Sequence, residues 1–147
     1  MAGVAGLLHA AASLYWALGG RWLLETVGAW AVDLADTAPV AAGLALSGIA
    51  LIKVLGAVVP LLVESGRWPG PRRCWRALEW AGGAGLLLYG GVNAVVAALV
   101  LTGVIRPDGG YDAAAMWGHA ALWDPLFALW GLALLVGLWR SRRPPAA

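Results

Sequence analysis

From Pro39 to Val63 the chain carries one charged residue, Lys53, among side chains that are otherwise almost all apolar. A helix needs about 20 such residues to cross the hydrocarbon core of a bilayer. Three further runs, roughly residues 2–19, 77–102 and 117–139, have the same character. Backbone N–H and C=O groups in lipid must be bonded inside their own segment, so helices are the economical spanning form for these runs. The expected fold is all-α: an integral membrane four-helix bundle, a single transmembrane domain over residues 1–147 with spans 2–19, 39–63, 77–102 and 117–139.

Composition agrees with the patterning. Hydrophobic residues make up 61% of the chain and charged residues only 12%, where a soluble domain carries about a quarter. Too few charges remain to coat a globule, which excludes an ordinary soluble domain. The net charge is +2, and the arginines fall in short clusters between apolar runs, a pattern that does not point to nucleic acid. Cys74 is the one cysteine, so neither an internal disulfide nor a Cys-x-x-Cys pair is possible. The opening stretch MAGVAGLLHAAASLYWALGG lacks a basic leader, holds His9 inside its apolar part and runs into Gly-Gly-Arg-Trp, so it reads as a retained span.

Arginine placement sets the expected direction. Arg67, Arg72, Arg73 and Arg76 fall in the middle loop, and Arg140, Arg142 and Arg143 in the tail, while the other two loops hold only Arg21 and Arg106. Basic residues stay on the cytoplasmic side. Both termini and the middle loop are therefore expected in the cytoplasm, with the chain in the cell inner (plasma) membrane. The second span opens at Asp-Thr-Ala-Pro, where Asp36 or Thr37 caps and Pro39 fits the first turn. Pro60 is expected to kink its far end. In the first outer loop Leu23, Val27, Trp30 and Leu34 recur at helical spacing, with Glu25 and Asp33 off that face. This is expected as a short amphipathic segment lying in the interface or, alternatively, a lid over a cavity. The loop Ile-Arg-Pro-Asp-Gly-Gly-Tyr-Asp is expected as a plain turn.

Ionisable groups inside a span are costly and usually face the bundle interior, where they pair or function. At about 1.5 Å per residue, His9 and Lys53 lie about 10 and about 14 Å from the cytoplasmic edge. Tyr89 lies near the middle, Asn93 and Asp124 lie in the outer half, and Glu79 lies close to the inner interface. The stem of Lys53 reaches along its helix, which makes a Lys53–Asp124 pair the first expectation for this lysine. Asp124 precedes Pro125, so it also reads as the cap of a helix restarting there. His9, Ser13, Trp16 and Gly20 form one stripe, and Tyr89 and Asn93 share a face of the third span. His119 and Trp123 share a face of the fourth, with Trp130 further along. Gly43, Gly82, Gly85, Gly90 and Gly91, with Ser47, read as close-packing positions. The two histidines lie near opposite leaflets and no three-ligand cluster is spaced for zinc; neither a metal nor a cofactor is expected.

Two stretches, HAAASLYWALGGRW and GHAALWDPLFALWG, resemble a family of small actinobacterial four-span membrane proteins of unknown function. The matching residues are Tyr15, Trp16, Gly19, Gly20, Trp123, Asp124, Pro125 and Trp130. The resemblance implies the four-span topology. A looser likeness, in architecture alone, is to small membrane-bound terpene cyclases.

Ten tryptophans in so short a chain frame the functional reading. Proton-initiated cyclisation of an isoprenoid needs an acid in an apolar setting and aromatic faces for migrating cations. On that reading the chain is a membrane-embedded enzyme acting on a lipid-like, isoprenoid-class substrate. Asp124 is the acid, Asn93 and Tyr89 orient it, and Tyr15, Trp16, Trp123, Trp130, His9, Lys53, Glu25 and His119 surround the substrate. If Lys53 pairs with Asp124, then Glu79 or Glu25 must supply the proton. Two alternatives stand beside it. One is a structural or partner-binding membrane protein with a buried Lys–Asp pair. The other is a small proton- or ion-coupled transporter using Lys53, Asp124 and His9, which with four spans requires a dimer, a homo-oligomer of this chain. The expected partners are the lipid-like substrate and membrane lipids.

Overall fold

The computed structural model describes residues 2–141. Helix α1 spans Ala2–Ala17, and a 3-10 turn at Leu24–Thr26 leads to α2, Ala29–Thr37. Two long helices follow, α3 (Pro39–Glu64) and α4 (Arg72–Leu101). Helix α5 (Ala113–Gly118), a π-helical turn (His119–Trp123) and α6 (Asp124–Arg140) then form one continuous rod. Three elements, α3, α4 and that rod, are long and apolar enough to cross a membrane. Helix α1 is apolar but has 16 residues, a length of about 24 Å at 1.5 Å per residue. It stops short of residue 19 because Gly19 turns the backbone to φ +90 and Tyr15 lies where a side chain on Gly20 would stand. Arg142 and Arg143 lie outside the described residues.

The outside of the bundle is apolar. Leu44, Leu51 and Ile52 of α3 and Leu88, Val92 and Val95 of α4 are all exposed, apolar surface of the kind that marks a membrane or partner contact.

Two helix pairs make the bundle: α4 lies along α6, α1 lies along α3, and the pairs meet chiefly through α1 and α6. Helices α3 and α4 barely touch. The α4–α6 contact is backbone to backbone. A Cβ on Gly90 would sit 2.3 Å from the Asp124 carbonyl oxygen, and one on Gly131 would sit 2.5 Å from that of Gly83. Small residues of this kind drive helix association where no hydrophobic effect operates between helices. Gly90 was expected at a packing position and occupies one. Gly82, Gly85 and Gly91 face open space instead. In each of the doublets 82–83 and 90–91 only one member faces α6, and Gly83 and Gly90, seven residues apart, share that face. Gly43 packs against the Ala17 carbonyl oxygen of α1, 3.1 Å from the position of a Cβ. Trp130 is the wedge between the pairs. It is buried and fills a slot opened by Gly6 of α1 and Gly56 of α3.

At one end, rich in arginine, Arg72 Nη2 donates to Glu64 at 2.6 Å and Arg76 also pairs with Glu64. Arg76 further donates to Ser141 and to the Leu138 carbonyl, both at 2.9 Å. These arginines belong to the first turns of α4, which starts just after Pro71 and so five residues before the span expected from residue 77. Helix α3 runs through Pro60 to Glu64.

At the other end the first loop departs from its expected form. The expected helix is broken at Gly28, whose φ is +140. Of the expected face, Leu23 and Val27 pack against the core while Trp30 points outward, 65% exposed, and Leu34 is exposed; Leu24 and Ala31 are the fully buried pair. Leu24 and Ala31 join Trp16 and Trp123 in a small core, with Leu46 of α3 against it. The segment is pinned as a cap: Trp123 Nε1 donates to Thr26 Oγ1 and Trp16 Nε1 to the Trp22 carbonyl, both at 2.9 Å. The second loop does more than turn. Asp112 caps α5 by accepting from Ala115 N at 3.0 Å and reaches the free N-terminus of α2 by accepting from Ala29 N at 2.9 Å. Those two backbone donors hold its carboxyl below the usual range.

The glycine contact yields a paired expectation. Gly90→Ala forces a methyl into the α6 backbone and lowers stability by about 1–3 kcal/mol, while Gly91→Ala, with open space at its Cβ, is neutral or stabilising. Unfolding in mixed micelles measures both; equal effects would refute the contact.

Candidate functional site

Lys53 is not idle in its apolar run. Its Nζ donates to Ser13 Oγ at 2.8 Å and lies 3.2 Å from His9 Nδ1, so α3 is tied to α1. The far side of the imidazole, Nε2, lies 3.0 Å from the Trp123 carbonyl oxygen. A carbonyl only accepts, so Nε2 carries a hydrogen, and a single hydrogen lies between Nδ1 and Nζ. His9 also stacks on Phe127, centroids 3.8 Å apart, and the Lys53 ammonium sits 5.4 Å from the same ring. The His9–Ser13 stripe of α1 thus makes helix–helix bonds to both α3 and the fourth rod.

Asp124 has a separate partner. It is almost wholly buried and its Oδ2 lies 2.8 Å from His119 Nδ1. Five residues along an α-helix stand about 140° apart round the axis, so an α-helical register would hold these side chains apart. The π turn at His119–Trp123 widens the register to i→i+5 and brings them together. Pro125, which has no N–H to give the preceding turn, directly follows that turn and Asp124. The expected Lys53–Asp124 pair is therefore replaced by two independent clusters. Asp124 is not a cap either: its backbone is helical and α6 continues from the π turn without a break.

The third polar group defines a cavity. Because α3 and α4 hardly meet, a cleft of about 630 Å³ lies between them, floored by Phe127, Trp130 and Leu134 of α6. From α3 it receives Ile49, Lys53, Gly56 and Pro60, and from α4 Trp75, Glu79, Gly82 and Leu86, each set at the three- and four-residue spacing of one helix face. Trp68 closes the arginine-rich end, set edge-on to Trp75 with centroids 5.6 Å apart. Ile52 and Leu78 stand at the mouth and are exposed, so the cleft opens sideways, towards the apolar exterior. Glu79 is 6% exposed, and neither carboxyl oxygen has a hydrogen-bond partner among the described residues; the Trp68 indole nitrogen is also without one. The neighbouring guanidinium of Arg76 is engaged with Glu64, Ser141 and Leu138.

The other expected site residues are dispersed. Asn93 donates to the Tyr89 carbonyl of its own helix at 2.9 Å. Tyr89 is 56% exposed and sets its edge against Phe127. Tyr15, Trp16 and Trp123 line a different apolar groove of about 520 Å³, beneath the cap. Glu25 is exposed in a polar recess with Arg21 and Asp36. Trp130, Lys53 and Glu79 meet at one cavity. Trp68, Trp75 and Phe127 were not singled out, although the Trp75–Glu79–Gly82–Leu86 spacing was legible. Among the described residues no group of three histidine, cysteine or carboxylate side chains is placed to hold a metal ion.

Residues 6–134 match the family described as protein of unknown function (DUF3995), and the chain belongs to that family. No curated protein and no solved structure matches the chain.

The lysine cluster makes a sharp expectation. His9→Phe strips Lys53 of a hydrogen-bond partner and destabilises by about 1.5–3 kcal/mol, as loss of a buried hydrogen bond to a charged group does. Adding Lys53→Met to His9→Phe removes the stranded ammonium and restores part of the loss. A double-mutant cycle in mixed micelles reads the coupling; effects that simply add would refute it.

Proposed function

We propose that this member of the family is a membrane-embedded enzyme that acts on a lipid-like, isoprenoid-class substrate, with Glu79 as the proton donor in the α3–α4 cavity. The observation that carries the reading is a buried acid, its carboxyl without a hydrogen-bond partner among the described residues, on the wall of a cleft shared with Trp68, Trp75 and Trp130 and open sideways. Cavities of several hundred Å³ with apolar walls and few polar groups are the usual form of small-molecule sites. Asp124, the acid expected from the sequence, is engaged with His119 and is not among the cavity's lining residues.

The chemistry is proton in and proton out. A proton passes from the Glu79 carboxyl to the substrate and leaves a carbocation. An internal double bond attacks the cation and forms a carbon–carbon bond, and a proton lost beside the final cation returns to the carboxylate. The acid is regenerated and no co-reactant is consumed. The three indole faces and Phe127 stabilise the migrating charge, each by about 2 kcal/mol where water is excluded. Lys53 lines the same space, but Ser13 and His9 draw its ammonium towards α1.

The other readings fit less well. A relay needs groups that both take and pass on a proton. The chain from Lys53 through His9 ends at the Trp123 carbonyl, which only accepts. A purely structural bundle gains nothing from an unbonded buried carboxyl, whose desolvation costs about 1–3 kcal/mol or more.

The setting we infer is the plasma membrane, with α1, α3, α4 and the α5–α6 rod as four spans and the arginine-rich end in the cytoplasm. Cys74 is free and exposed at that end. A membrane-impermeant maleimide is expected to label it in lysed cells and not in intact ones; labelling of intact cells would reverse the topology.

The activity is tested with the full chain in nanodiscs, offered a panel of prenyl alcohols and polyprenes, with products read by gas chromatography and mass spectrometry. New cyclic or isomeric products are expected. Glu79→Gln lowers the rate at least about 100-fold, and Gly82→Trp, placed where open space meets the cavity, abolishes it. Asp124→Asn leaves turnover within a few fold. Full activity in Glu79→Gln, or no product from any isoprenoid, would sink the reading.

A further inference from the structure

The arginine-rich end carries more positive charge than its own carboxylates use. Glu64 is shared by Arg72 and Arg76, and Glu79 is buried. Arg67, Arg73 and Arg140 are exposed, and no carboxylate pairs with any of them among the described residues. The fold brings the three to one end. Arg67 lies in the short connection between α3 and α4. That connection is pinned by the Arg67 N–H on the Leu62 carbonyl at 2.9 Å and by the Trp75 indole on the Pro69 carbonyl at 3.1 Å. Arg73 stands in the first turn of α4, about one turn before Arg76. Arg76 in turn bonds Leu138 and Ser141, which bracket Arg140 at the close of α6. The opposite end differs: Arg21 pairs with Asp36 at 2.7 Å, and Arg106 donates to the Gly103 carbonyl at 3.0 Å.

Guanidinium groups without a carboxylate call for another anion, and their fork of donors matches phosphate oxygens. The surface around them narrows the choice. Trp139, next to Arg140, and Leu78, further along α4 from Arg73, are both exposed. A partner that covers this surface brings negative charge and hydrocarbon together. A free phosphate or an acidic polypeptide brings the first without the second. A phospholipid brings both, but in phosphatidylcholine the ammonium of the head offsets its phosphate. We propose that this end of the bundle is a recognition surface for anionic phospholipids, with their phosphates at Arg67, Arg73 and Arg140 and their acyl chains against the apolar sides of α4 and α6. The proposal rests on the chain's place in a membrane and not on the reading of the α3–α4 cavity, so each stands if the other fails. The attraction is one between exposed charges, so salt controls it: its range is about 10 Å at 0.1 M and about 3 Å at 1 M.

The test is lipid selectivity. The full chain is reconstituted in phosphatidylcholine vesicles with a trace of spin-labelled phosphatidylglycerol or spin-labelled phosphatidylcholine. The motionally restricted fraction of each label gives its relative association with the protein. Phosphatidylglycerol is expected to be favoured at least about fivefold at low salt, the worth of one arginine at an anionic lipid surface, and to approach parity at about 1 M salt. The variant Arg67→Gln/Arg73→Gln/Arg140→Gln loses the preference, while Arg106→Gln, at the opposite end, keeps it. Unchanged association of phosphatidylcholine shows that the triple variant is folded. Lysine at the same three positions keeps the charge and most of the preference, which separates recognition from any packing role of the side chains. Equal association of the two lipids with the unaltered chain overturns the proposal, as does a preference that survives the triple glutamine variant or ignores salt. Glycerol phosphate or polyglutamate that abolishes the preference at equal ionic strength overturns it too, and assigns the surface to a soluble phosphate or to an acidic protein.

Discussion

The α4–α6 contact at Gly83, Gly90 and Gly131 governs what the rest of the bundle can be. With backbone against backbone, α4 is held tightly to the fourth rod and has little surface left for α3. Helix α3 is claimed in turn by α1, through the Lys53 bonds to Ser13 and His9. The two pairs are then joined by α1 and α6, with Trp130 wedged at Gly6 and Gly56. The ties of Arg72 and Arg76 to Glu64 hold α3 to α4 at the arginine-rich end, and along the rest of their length the two helices barely touch. In lipid an unfilled cleft between helices is not closed by a hydrophobic effect, because acyl chains solvate its walls as well as leucine does. The cavity therefore follows from where the glycines lie.

Much of this was legible in the sequence and some was not, for identifiable reasons. Lipid-length apolar runs announce themselves by composition, so α3 and α4 and the fourth rod came through within a few residues. Their ends were misread where polar residues proved helical: Arg72 and Arg76 look like loop but sit in the first turns of α4, held by Glu64. The doublets Gly82–Gly83 and Gly90–Gly91 marked a packing face but not its phase. Periodicity alone does not say which neighbour faces a partner when both are glycine. The cap failed as a single amphipathic helix because Gly28 adopts a φ of +140, which breaks the spacing from Leu23 to Leu34.

The polar residues show a different limit. Depth counting placed Lys53, His9 and Asp124 at compatible levels, and opposite charge made Lys53–Asp124 the natural guess. Depth carries no azimuth, however, and the azimuth of Asp124 is set by the π turn. With an α-helical register from His119 onward, Asp124 would be turned about 140° from that histidine. The widened turn lets the rod bury an acid beside its own imidazole, and Lys53 is left to α1. A sequence that reads Trp-Asp-Pro invites a helix break, and the structure absorbs the missing proline N–H as a local change of register instead.

That redistribution decides which carboxyl is chemically available. A group that already exchanges a short hydrogen bond within a sealed site, as Asp124 does at 2.8 Å, must break that bond before it can serve a ligand. Glu79 faces no such cost: both oxygens lack a partner, and it stands on the cavity face of α4 beside Trp75 and Gly82. Gly82 adds to this by omission, since open space lies where its side chain would stand and the wall next to the acid stays recessed. The same glycine doublet thus does two jobs a residue apart. Gly83 seats α4 on α6, and Gly82 keeps the cavity wall open one turn from Glu79.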